Sequence, residues 1–226
     1  MRLMLLATAA LVTAAAPAMA EMRNISTAPF RAIHSGGPAD VMVNTGDTLS
    51  VRAEGDPRAL DALEVRSDGE RLSVDRRRGV KWPRYGRATV YVTLPALVAA
   101  NAAGSGDIQV DRVSGPSFSG TVEGSGNLDI RDLRVTAAVL VSTGSGNVQA
   151  GGAVDVLTAS ASGSGNVAAE TLRARAATVS ATGSGNILAS ASEHADVRSS
   201  GSGNALVIGG GRCRLRATGS GEAKCG

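Results

Sequence analysis

Apolar and polar positions alternate along most of this chain, and they do so in phase with a short recurring motif. Gly-Ser-Gly occurs at 104, 124, 144, 163, 183, 201 and 219, at spacings of 20, 20, 19, 20, 18 and 18 residues. Before each motif, the sixth, fourth and second residues are small or apolar, as in Val98/Ala100/Ala102, Phe118/Gly120/Val122, Leu157/Ala159/Ala161 and Ala177/Val179/Ala181. The fifth and third are mostly polar: Ser119/Thr121, Thr158/Ser160, Thr178/Ser180, Asp196/Arg198, Arg214/Arg216. A period of two is that of a strand with one face inside. It resumes after each motif in Ile108/Val110, Leu128/Ile130, Val148/Ala150, Val167/Ala169 and Ile187/Ala189. A third short run is read in Leu133/Val135/Ala137, Val154/Val156 and Leu172/Ala174/Ala176. Each repeat is therefore expected to hold about three strands and two or three corners. No repeat has a helical period.

A single repeat of this kind buries its inner face only by stacking on the next. The predicted fold is all-β: a parallel β-helix, or solenoid, of 18–20-residue coils. Right-handedness is expected from the crossover preference of parallel strands. Seven coils at strand spacing make a rod of about 34 Å. Residues 98–226 carry the regular repeats. Residues 29–97 carry β signals without the motif, at Asp40–Val43, Leu49–Val51, Arg71–Val74 and Ala88–Val92. Asp56-Pro57 reads as a helix N-cap with proline behind it, opening a short helix through Leu63. Ser67-Asp68-Gly69 reads as a turn. This part is expected to form the first, degenerate coils and the cap, within one domain spanning 29–226.

The residue after each motif is Asp107, Asn127, Asn147, Asn166, Asn186, Asn204 and Glu222 in turn. Equal offsets predict one stacked corner ladder. The glycines are expected to supply positive φ, and Asn to tolerate the left-handed region. Amides stack with hydrogen bonds, whereas carboxylates 4.8 Å apart repel by about 1 kcal/mol in water. The acidic members stand first and last.

The N-terminus has its own pattern. Met1-Arg2 is followed by an apolar run from Leu3 to Ala16, and then by Ala18-Met19-Ala20. This is the pattern of a signal peptide over 1–20, with Glu21 as the new N-terminus and 21–28 as a tail. The apolar run is shorter than the roughly 20 residues a membrane span needs, and no later segment is apolar enough to span. Export is expected, most simply to the periplasm, with the cell surface or secretion as alternatives.

Composition narrows the function. The chain has 226 residues, 29 glycines and 2% aromatics, which excludes a core built on large rings. Glycine lacks the three-residue period of collagen. A net charge of +3 is too small to point to nucleic acid, and no nucleic-acid partner is expected. The two histidines are His34 and His194, the latter in Glu193-His194-Ala195-Asp196, which reads first as coil surface. There is no Gly-x-Ser-x-Gly elbow and no lysine after Gly-Ser-Gly-Asn to make a phosphate loop. No catalytic residue, cofactor or metal is expected. Calcium β-rolls repeat Gly-Gly-x-Gly-x-Asp at about half this period, and the Asp is here mostly Asn. Ice binding through Thr158/Ser160 and Thr178/Ser180 is interrupted by Val139/Val141 and Asp196/Arg198. An enzyme acting on polysaccharide is the main alternative on a β-helix, although the repeats show neither acidic clusters nor aromatic platforms.

Two features carry candidate chemistry. Arg76, Arg77, Arg78, Lys81, Arg84 and Arg87 surround Trp82 and Tyr85 in a segment without an acid. Cations mixed with aromatics suit an anionic envelope surface, lipid headgroup or acidic glycan; a solvated loop is the bland alternative. The segment has no apolar period and is expected to add little packing. The only cysteines, Cys213 and Cys225, fall at inward positions on either side of the last corner. Export permits their oxidation, and a disulfide between them is expected.

The ordered set Gly37-Pro38-Ala39-Asp40-Val41, Gly46-Asp47, Ser67-Asp68-Gly69-Glu70-Arg71-Leu72-Ser73-Val74, Val90-Tyr91-Val92-Thr93-Leu94-Pro95 and Gly104-Ser105-Gly106-Asp107-Ile108 resembles the head GIN domain family of auto-transporter adhesins. The likeness runs from about Phe30 to Gly221. It implies a β-helical fold and supplies no catalytic residues. The expected function is a non-enzymatic, exported, adhesin-like module that binds or scaffolds an envelope component: lipid headgroup, glycan or protein. Homo-oligomerisation stays open.

Overall fold

Inward positions along each coil run in steps of two, broken by steps of three. In the coil from Leu128 the buried residues are Leu128/Ile130, Leu133/Val135 and Ala138/Leu140/Ser142. Each step of three swaps which face points inside, so it marks a corner. With the Gly-Ser-Gly turn these make a three-sided coil. The computed structural model describes residues 20–226, so the signal peptide expected over 1–20 lies almost wholly outside the described residues.

The N-terminal elements are β1 (Glu21–Asn24), β2 (Ala32–Ser35), β3 (Asp40–Thr45), β4 (Ser50–Gly55), helix α1 (Pro57–Ala62), β5 (Leu63–Ser67), β6 (Arg71–Arg76), β7 (Ala88–Leu94) and β8 (Ala99–Ala102). The regular coils are long bent strands: β9 (Ile108–Val122), β10 (Leu128–Ser142), β11 (Val148–Ala161), β12 (Val167–Gly183) and β13 (Ile187–Gly201). The last coil is made of β14 (Ala205–Ile208), β15 (Arg212–Gly219) and β16 (Ala223–Cys225). Neighbouring coils pair in parallel from β9 to β16, giving a β-solenoid of about six turns with coils of about 20 residues. The third run is shorter than the alternation implied. Ala137, Val156 and Ala176 lie beyond the second corner and point outward, and Val156 is 47% exposed.

Coil length varies without disturbing the Gly-Ser-Gly edge. Register shifts fall between Ile130 and Leu133, between Gln149 and Gly152, and between Ala169 and Ala176. All lie on the middle side, so the 18-, 19- and 20-residue coils keep their other two sides aligned.

The N-terminal coils are not simply first in line. β2 pairs with both β6 and β8, and β3 with both β7 and β9. The β2–β3 coil is therefore inserted between the later β6–β7 coil and the β8–β9 coil. The cap lies beyond β6–β7. There β4 runs antiparallel to β7, β5 antiparallel to β6, and β1 antiparallel to β4. Reversing direction ends the parallel stack. Glu21–Asn24, expected in a tail, form this outermost strand. The helix covers the open interior with buried Ala59, Leu60 and Ala62. Asp56 caps it, accepting at Oδ1 from the amides of Arg58 (2.9 Å) and Ala59 (3.2 Å).

Candidate functional site

One edge of the solenoid is built from the corners. The carbonyl of each first glycine accepts two amides from the corner above. Gly104 O accepts from Ser125 (3.1 Å) and Gly126 (3.1 Å), and Gly124 O from Ser145 (3.0 Å) and Gly146 (3.1 Å). A Cβ on Gly124, Gly126, Gly144 or Gly146 would overlap the carbonyl of the preceding corner. Close stacking, not backbone sign, is what requires glycine here. Only Gly183, Gly201 and Gly219 among the motif glycines have positive φ. No non-glycine residue among those described has positive φ, so the asparagines do not use the left-handed region either.

The side chains after the corners form one ladder. Asp107 Oδ1 accepts from the Asn127 amide (2.8 Å) and from Asn127 Nδ2 (3.0 Å). Asn127 does the same for Asn147, Asn147 for Asn166, Asn166 for Asn186, and Asn186 for Asn204. Asn204 Oδ1 accepts the Glu222 amide at 3.0 Å. An interior rung must accept upward and donate downward, which an amide side chain does and a carboxylate does not. Asp107 accepts without donating through its side chain. The Glu222 carboxylate turns to Lys224 Nζ at 2.6 Å, which holds it below the usual carboxylate range.

The ladder has one more rung than the motif count shows. Asp40 Oδ1 accepts the Asp107 amide at 3.0 Å. Gly37-Pro38-Ala39-Asp40 thus occupies the place of Gly104-Ser105-Gly106-Asp107 one coil earlier. The signal was there as Gly-x-small-Asp followed by Val41, in register with Ile108.

In the outermost coil the corner is replaced by the basic segment, which joins β6 to β7. Arg76, Arg77, Arg78, Lys81, Arg84 and Arg87 are all exposed, and none is ion-paired among the described residues. Arg76 Nη1 donates to Val80 O (2.7 Å). The Arg84 guanidinium lies over the Tyr85 ring at 5.5 Å, and Tyr85 is 86% exposed. Contrary to the expected lack of packing, Trp82 is half-buried against the core and its Nε1 donates to Gly86 O (2.9 Å). Gly86 sits so close to Ala59 of α1 that a Cβ would crowd it. The aromatic anchor holds the loop on the cap while the charges face water.

Other candidates are less open. A groove of about 590 Å³ on the middle side is lined by Arg134, Asp155, Arg173 and Arg175. Two of its three arginines are paired, Arg175 with Asp155 of the groove (3.8 Å) and with Glu193 beside it (3.0 Å), and Arg134 with Asp132 beside it (2.9 Å). Arg175 holds the Glu193 carboxyl below its ordinary range. His194 Nε2 lies 3.2 Å from Asp196 Oδ2, both outward on a coil side. Among the described residues no group of three or more His, Cys, Asp or Glu gathers as a metal site. Thr158/Ser160 and Thr178/Ser180 do align in rows, flanked by Val139/Val141 and Asp196/Arg198. Cys213 and Cys225 are joined by a disulfide, with Cα atoms 6.5 Å apart, and both pack half-buried on the core.

Residues 29–211 match the family described as "Putative auto-transporter adhesin, head GIN domain". Among solved structures, the chain is similar to a putative adhesin from Bacteroides fragilis at 22% identity and a TM-score of 0.85, covering 91% of this chain and 96% of that one. It is also similar to a putative lipid binding protein from Parabacteroides distasonis, at 20% identity, a TM-score of 0.71, and 92% and 96% coverage. A putative adhesin from Parabacteroides merdae gives 16% identity, a TM-score of 0.69, and 91% and 96% coverage. At these identities the likeness is one of fold. No curated protein matches the chain.

Proposed function

The chain belongs to the head GIN domain family, and on that premise we propose that it is an exported, non-enzymatic envelope module, adhesin-like, that holds an anionic surface through its basic loop. The observation that carries this reading is the loop from Arg76 to Arg87: six exposed cations, no carboxylate, and no ion pair to any of them among the described residues. Cations that the fold does not neutralise attract anions from outside. Tyr85 beside Arg84 adds an amphipathic ring of the kind that seats at a headgroup boundary. Trp82 supplies rigidity, so the charges are presented without loss of the loop's own shape. The Parabacteroides distasonis protein carries lipid binding in its name, which agrees with this choice of partner.

The test is sedimentation with anionic phosphatidylglycerol vesicles and with neutral phosphatidylcholine vesicles, at low salt and at 0.5 M salt. Binding to the anionic vesicles alone, weakened by salt, is expected because screening shortens the reach of surface charges. Equal binding to both, or salt-insensitive binding, overturns the proposal. Turnover on acidic glycans would instead favour an enzyme.

A further inference from the structure

A single ladder of outward residues runs the length of the side that precedes the Gly-Ser-Gly edge. It passes through Ser73, His34, Asn101, Thr121, Val141, Ser160, Ser180, Arg198 and Arg216, each paired in register with the next. A parallel ladder passes through Ala99, Ser119, Val139, Thr158, Thr178, Asp196 and Arg214. From β8 to β12 every residue in these two rows is uncharged. The charges collect at the two ends. At one end stands the basic loop, which leaves from β6, the strand that bears Ser73. At the other, Arg198 and Arg216 stand one strand spacing apart in the same row, with Arg212 and Arg214 beside them. None of these four arginines is ion-paired among the described residues. Asp196, the one acid in these two rows, faces His194 at 3.2 Å.

Arg198 stacks on Arg216, and Asp196 in the adjoining row, beside Arg214, is the one carboxylate set against these three arginines; the excess positive charge is what an external anion would neutralise. Acids on this side are few and lie off the middle of the two rows: Glu123, which accepts from Asn101 Nδ2 (3.2 Å), and, at the β5–β6 end, Asp75 and Glu64, the latter 3.4 Å from Arg66. The other two sides carry Asp111, Asp129, Asp132, Asp155, Glu170 and Glu193. We infer that this side of the rod is a second-contact face, and that the protein lies lengthwise on an anionic bilayer surface, held by the loop at one end and by Arg198, Arg212, Arg214 and Arg216 at the other. From Ser73 to Arg216 the row takes eight strand spacings, about 38 Å. A rod gripped at both ends cannot tilt away, and the uncharged rows between pay little desolvation on approach. This inference rests on the proposed loop contact but adds a separate set of residues to it.

The test uses the full, oxidised protein and phosphatidylglycerol vesicles carrying a headgroup-linked quencher. Two exposed positions of one coil are labelled in separate variants: Thr158→Cys on the inferred face and Gln149→Cys on another side. Quenching of the label at 158 and not at 149 is expected. Two charge variants are measured alongside: R76Q/R77Q/R78Q/K81Q and R198Q/R212Q/R214Q/R216Q, each expected to weaken binding about tenfold or more. If the loop variant weakens binding while the arginine variant does not and neither label is quenched, the lengthwise face is wrong and the loop contact stands. If the loop variant binds like wild type, the loop reading itself fails. Should the arginine variant misfold, the quenching pattern decides alone: quenching at 149, or at neither position, overturns the inference.

Discussion

Asp40 and Asp107 are separated by 67 residues, yet the Asp107 amide donates to Asp40 Oδ1 at 3.0 Å. That bond fixes the start of the corner ladder at an irregular coil and explains where carboxylates are tolerated in it. Asp40 and Asp107, the first two rungs, only accept through their side chains, and the Asp107 backbone amide alone joins them. From Asn127 to Asn204 each side chain donates to the rung before it as well.

The ladder chemistry makes opposite outcomes for two similar substitutions. Asp107→Asn should be neutral or slightly stabilising, because Oδ1 still accepts from Asn127 and the new amide can donate toward Asp40. Asn147→Asp should cost about 1–3 kcal/mol at neutral pH, since it removes a donor and sets a carboxylate against Asn127 Oδ1. Protonating that carboxyl returns a donor toward Asn127 Oδ1, so the defect should be smaller at pH 4 than at pH 7. Urea denaturation at pH 4 and pH 7 measures both. An Asn147→Asp variant as stable as wild type at pH 7 would show that the rungs carry no net energy.

Close approach sets the rule for glycine. Gly146→Ala puts a Cβ onto the carbonyl of Gly126, with no room to move because the same contact repeats through the stack. A loss of about 3 kcal/mol or more is expected. Gly210 meets nothing within 4 Å of a built Cβ and lacks positive φ, so Gly210→Ala should change stability by less than about 0.5 kcal/mol. Thermal melts of the pair check the contrast.

The basic loop separates charge from packing. R76Q/R77Q/R78Q/K81Q should leave the melting temperature nearly unchanged, because these side chains are exposed and make no ion pair. Trp82→Ala should lower it, by about 2 kcal/mol in stability, roughly half of what a fully buried Trp loses. If the quadruple variant melts several degrees lower, the charges belong to the fold and their proposed contact with a surface weakens.

The repeat was the legible part of this fold, because inward and outward residues of a strand differ in polarity and a motif marks each corner. Three sides and the Asn ladder follow from that contrast, whereas the seven coils that the motif count suggests are about six turns in the structure. Gly37-Pro38-Ala39-Asp40 marks the β2–β3 corner, but nothing marks the insertion of that coil between later ones. Val41 and Val90 are equally apolar, and nothing local to either says that they pair in the order β7, β3, β9. Trp82 was hidden for a related reason. A lone aromatic among arginines has no period, so its half-buried seat near α1 shows only when the chain is folded. The expected positive φ holds at the Gly183, Gly201 and Gly219 corners, while at the earlier corners the clash that excludes Cβ comes from a residue about 20 positions away, which no single position reveals.

The last expected outcome concerns the end of the rod opposite the cap. Cys213 pairs in register with Ala195 and Cys225 with Val207, both buried, so the two sulfurs meet over the interior of the last coil. The coil needs such a tie. Leu215 is 48% exposed although its register partner Val197 is buried, so the apolar surface that secures earlier coils is half missing here. A bridge closing a loop of this length constrains the unfolded chain by about 3 kcal/mol in the entropy model. Reduction, or Cys213→Ser with Cys225→Ser, should therefore loosen β15 and β16 before any other coil. Amide exchange would show faster labelling confined to residues beyond about 205, with β9–β12 unchanged. Non-reducing mass spectrometry of the protein recovered from a periplasmic extract should find no free thiol. Two free thiols, or exchange that is the same with and without reductant, would mean that the end is held by strand pairing alone.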